Sequence, residues 1–113
     1  MQTTVIKKTL LSTLALLYFG FAISSAQAVL IRGDRSCGYW ISSKGGPQQV
    51  VNETWFVGYL SGIALESDKD FLRGTDNESL FLWLDNYCTK NPLKFISDGG
   101  DLLFLELVKQ KRL

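Results

Sequence analysis

Cys37 and Cys88 are the residues best suited to covalent chemistry in this chain, and they are its only cysteines. A thiol pair has three ordinary outcomes: a disulfide, part of a metal site, or two free thiols. There is no histidine, so the usual Ser-His-Asp and Cys-His arrangements cannot be built. A zinc site would need Asp or Glu to complete it. Two acidic pairs stand out, Asp68-x-Asp70 and Asp98 with Asp101. The first lacks the further ligands, the glycine and the closing Glu of a calcium loop, and reads as a solvated loop. The second reads as a solvated helix face. A two-carboxylate glycosidase is chemically conceivable, but so short a chain leaves little room for a cleft. No Gly-rich phosphate loop follows a strand. The expectation is a protein without catalytic residues, metal or cofactor, acting by non-covalent contact. Trp40, Trp55, Phe71 and Trp83 are then the candidate partner-binding anchors, with Tyr39 beside them, although most are expected in the core.

Residues 1–28 have the form of a secretory signal peptide. Lys7 and Lys8 give a positive start, Leu10 to Ile23 is an apolar run, and Ala26-Gln27-Ala28 is a cleavage site of the A-x-A kind. Cleavage after Ala28 would leave residues 29–113 as one helical domain in an exported, periplasmic protein. An oxidising compartment makes one Cys37–Cys88 disulfide the default, with a metal pair or free thiols as alternatives. Closing a loop of about 50 residues is worth roughly 4 kcal/mol in the chain-entropy account. Residues 1–28 carry Lys7 and Lys8 and no acid, so their removal takes the formal charge from +1 to −1. Charges of mixed sign without a basic stripe argue against nucleic acid. No apolar run in 29–113 is long enough to span a bilayer, so no stable membrane insertion is expected after cleavage.

The elements that must position these residues read as an all-α, small single-domain bundle of about four helices. Val29 to Asp34 is an extended arm. Asp34 or Ser36 caps a short helix through Cys37, Trp40 and Ile41, which Gly45-Gly46-Pro47 ends. A second helix runs from about Gln48 to Ser67. Its Gly58 and Gly62, one turn apart, are expected to let another helix approach closely, at about 1 kcal/mol each in helix propensity. Thr75 and Glu78 look like a capping box for a central helix, apolar on most of its surface, that closes at Asn91-Pro92. Pro92 is expected to open the last helix, which runs to about Lys111. In it Lys94 and Asp98 form an i,i+4 pair. Gly99-Gly100 marks a kink or a close crossing, against Gly58 and Gly62 in the simplest arrangement.

At Tyr87-Cys88-Thr89-Lys90-Asn91-Pro92 the chain resembles the small periplasmic HdeA/HdeB acid-stress chaperones. Those are exported, all-helical, of similar mature length and tied by one disulfide. Their second cysteine lies near the end of a central helix, often as Y-C-x-x-N-P. The resemblance implies a closed monomer or homodimer near neutral pH that exposes apolar surface to protein clients in acid. The stretch Gly58 to Gly62, G-Y-L-S-G, followed by a Cys-bearing helix, is also similar to the Tai-type immunity proteins. These neutralise type VI secretion amidase toxins in the periplasm, and often hold additional cysteines that this chain lacks. That resemblance implies instead a dedicated inhibitor of one protein toxin. Neither brings catalytic residues.

Overall fold

Three of the four helices begin where a side chain or a distant carbonyl takes up free backbone N–H groups, as helix ends require. The computed structural model describes residues 29–113; the expected signal peptide and its cleavage after Ala28 lie outside the described residues. Helix α1 spans Cys37–Ser42, α2 Gln48–Ser67, α3 Asn77–Lys90 and α4 Ile96–Lys111. The expected all-α architecture of about four helices is what is found, with a single isolated bridge, Ser36 to Phe95, as its only β-type pairing among the described residues. Ile31–Leu113 forms one compact unit.

Helix α1 starts at Ser36, whose hydroxyl accepts from the Tyr39 N–H at 3.1 Å. Its next two donors reach across the chain, Cys37 N–H to the Lys94 carbonyl at 2.7 Å and Gly38 N–H to the Pro92 carbonyl at 3.0 Å. This use of residues 92–94 is why α4 does not open at Pro92. The segment stays non-helical, and the helix begins four residues later at Ile96. There Asp98 accepts from the Phe95 N–H at 2.8 Å, so the expected Lys94–Asp98 pair is not made.

The cap of α3 also differs from expectation. Asp76 takes the cap position and accepts from the Ser79 N–H at 2.7 Å. Thr75, one residue earlier, instead offers its hydroxyl oxygen to Lys111 at 2.8 Å. Lys111 donates as well to the carbonyls of Phe71 and Arg73, both at 2.7 Å. One ammonium at the end of α4 therefore fixes the loop between α2 and α3. In that loop Asp70 pairs with Arg73, and no group of three metal-ligating side chains occurs among the described residues.

The core lies where α1 and α4 meet α3 and where α2 packs on α4. Trp40, Phe56, Leu60, Phe71, Leu80, Leu84, Ile96, Leu103 and Leu107 are buried around the Cys37–Cys88 disulfide. The bond joins the first turn of α1 to the last turn of α3, with the two Cα atoms 4.7 Å apart. Gly99 and Gly100 do mark close crossings, though not the expected one. A Cβ on Gly99 would stand 2.5 Å from Leu84 Cδ1 of α3, and one on Gly100 would stand 2.9 Å from the Tyr59 ring of α2.

Candidate functional site

Two of the four expected anchors are core residues. Trp40 is 2% exposed and Phe71 fully buried, because each ring packs edge-on against another, Phe56 and Phe104 respectively. Trp55 and Trp83 are half-buried, and each lies parallel to a tyrosine one turn on, Tyr59 at 5.2 Å and Tyr87 at 5.6 Å. Trp55 donates from Nε1 to the Arg32 carbonyl at 2.9 Å, which holds the N-terminal arm. The arm can lie this close because Gly33, at φ 78°, has no side chain to meet the indole.

The polar tips of these aromatic rings reveal a pattern that local sequence spacing does not contain. Trp40 Nε1 of α1 donates to Asp85 of α3 at 2.6 Å. The Tyr59 hydroxyl of α2 donates to Asp101 of α4 at 2.6 Å. Trp83 Nε1 of α3 donates to Glu106 of α4 at 2.7 Å. These are the three helix pairs that pack closely, α1 with α3, α2 with α4 and α3 with α4. Each is bridged by one aromatic donor and one carboxylate. A fourth carboxylate, Asp34 of the arm, accepts from both the backbone N–H and the hydroxyl of Ser97 at the start of α4. Lys44 makes an ion pair with Asp85 and sits 4.8 Å from the centre of the Trp40 ring.

Among the described residues, three groups titrate away from their ordinary values. Burial pushes the Tyr59 phenol well up, and its bond to Asp101 adds to this. Burial also raises Tyr87, with Asp98 contributing. Asp76 is held down by its hydrogen bonds from Ser79.

The second feature is the outer face of α2. Gly58 and Gly62 are not packed against another helix; beyond the backbone of α2 itself, no atom lies within 4 Å of where a Cβ would be at either position. The expected close packing there is absent because α2 turns Asn52, Phe56 and Leu60 inward instead. Around the glycines Val50, Val51 and Leu65 are 68%, 57% and 85% exposed. The two glycines themselves line a groove of about 480 Å³ between α2 and α4, together with Tyr59, Ile63, Glu66, Ser67 and Phe104. The signal for this face was present in the sequence. Of the 20 residues of α2 only Glu53 and Glu66 are charged, too few for a helix with a wholly solvated side.

Comparison with known proteins returned nothing: no family model, no curated protein and no solved structure matches the chain.

Proposed function

We propose that the protein is an exported, non-catalytic binding domain of the periplasm that acts as an acid-stress chaperone of the HdeA/HdeB kind, releasing apolar surface to unfolding client proteins when the pH falls. The observation that carries this reading is the set of carboxylate bridges. Every closely packed helix pair is joined by a hydrogen bond whose acceptor is a carboxylate. An ionised acceptor makes a stronger bond than a neutral one. A neutral acceptor makes the weaker bond, whereas the hydrogen bonds inside the helices have no charged member. The disulfide then keeps α1 and α3 joined in the opened form, which limits how far the chain expands. Self-repulsion acts in the same direction, because in acid the carboxylates lose their charge and Lys and Arg keep theirs.

The test is suppression of client aggregation from pH 7 down to pH 2, followed together with dye binding and helicity. The expected result is protection that appears with dye binding while helicity largely persists. If the protein stays compact at pH 2, or opens without protecting any client, the reading fails. An inhibitor of a periplasmic toxin, active near neutral pH, would then take its place.

A further inference from the structure

We propose that the end of the molecule formed by α1 and residues 90–95 is a peripheral docking surface for an anionic lipid bilayer, with Leu93 entering the headgroup layer and Arg35, Lys90 and Lys94 meeting lipid phosphate. The chain leaves α3 through a tight bend, in which the Asn91 carbonyl accepts from the Lys94 N–H at 3.1 Å. Pro92 and Leu93 are the two corner residues of that bend. Leu93 therefore stands at its tip, 93% exposed, and Phe95 two residues on is half exposed. A large apolar side chain in this position is unfavourable in water. The bend is not free to fold it away. The Pro92 and Lys94 carbonyls accept from the Gly38 and Cys37 N–H groups of α1, and the disulfide ties α1 to the last turn of α3.

Charge identifies the occupant. Residues 35–47 and 86–97, the two stretches joined at this end, hold Arg35, Lys44, Lys90 and Lys94 and no acid. The rest of residues 29–113 holds six basic and eleven acidic residues. Lys44 is paired with Asp85. Arg35 lies 5.3 Å from the centre of the Tyr39 ring and, like Lys90 and Lys94, makes no ion pair among the described residues. The acids next to this end, Asp34 and Asp98, both accept hydrogen bonds at the start of α4, where the helix dipole offsets part of their charge. Three cations around an apolar tip match a surface that presents phosphate outermost and hydrocarbon just beneath it. A bilayer receives such a tip without a matching pocket, whereas an acidic protein partner would have to supply one. The contact is superficial, since no described helix is long and apolar enough to cross a membrane.

The inference goes beyond the acid-opening reading and is tested at pH 7, without a client. The purified protein should co-sediment with vesicles of phosphatidylcholine and phosphatidylglycerol in equal parts, and not with vesicles of phosphatidylcholine alone. Added salt should release it. Replacing Lys90 or Lys94 by Gln should weaken binding about 5-fold for each lysine removed. Leu93→Asp should abolish binding while keeping the parent's melting temperature, because the side chain is almost wholly exposed. Leu65→Asp adds the same charge at a comparably exposed position near the far end of α2 and should bind nearly as the parent does. Failure to sediment with the anionic vesicles at low salt would overturn the proposal. So would equal binding to both kinds of vesicle, equal loss in the two aspartate variants, or retention by an acidic polypeptide but not by the vesicles.

Discussion

At the scale of single residues, the glycines give the sharpest contrast. Gly62 and Gly99 are both helical, yet a Cβ at Gly62 meets nothing and one at Gly99 meets Leu84 Cδ1 at 2.5 Å. Gly62→Ala should raise stability by about 1 kcal/mol through helix propensity. Gly99→Ala should lower it by about 1–3 kcal/mol through overpacking. Thermal unfolding will show opposite shifts, each of about 4–8 °C per kcal/mol for a domain of this size. Equal signs would contradict the packing described for one of the two. The titrating residues set the pH limits. The Asp76 carboxyl is depressed in the folded state, so its cap stabilises above the unfolded value and fades as pH falls through the folded one. Tyr59 is raised, so its contribution is complete below about pH 10, the ordinary tyrosine value. It is lost as pH rises toward the folded value. Alkaline unfolding should therefore begin above about pH 10, and Tyr59→Phe should flatten that dependence. A circular dichroism titration of both proteins checks it.

At the scale of elements, the helices were legible and their junctions were not. The breaker cluster Gly45-Gly46-Pro47 and the apolar spacing of Leu80, Leu84 and Cys88 are local signals, and α2 and α3 lie where those signals put them. The caps failed where a distant group competed for the same atoms. Thr75 is taken by Lys111, 36 residues on, and the Pro92 and Lys94 carbonyls are taken by the start of α1. The carboxylate bridges join residues 23 to 45 apart, which no local pattern encodes. Two tests belong here. Cys37→Ser with Cys88→Ser should cost about 2–4 kcal/mol, because the bond closes a long loop; a denaturant midpoint that does not move would contradict a structural role. Lys111→Met removes three bonds to residues 71–75. Amide hydrogen exchange should then quicken in that loop and at the start of α3, with little change in α1.

For the molecule as a whole, a disulfide at the centre holds two helices while carboxylates hold the faces between helices. Under the proposed reading, acid acts on the faces between helices, through loss of the bridges. That behaviour is not visible in composition, where the absence of histidine suggests indifference to pH between about 5 and 8. In the proposed reading the response falls below that window, since carboxylates lose their charge there. The central claim is that ionised Asp101 and Glu106 keep the helix pairs closed. It is tested most directly by replacing both with their amides, Asp101→Asn and Glu106→Gln, and recording dye binding against pH. The amides keep an acceptor for Tyr59 and Trp83 but lose the charge, a difference of about 1 kcal/mol for each bond. The account predicts that the acid transition of the double variant moves to higher pH than the parent's. A transition at the same pH in both proteins would contradict it.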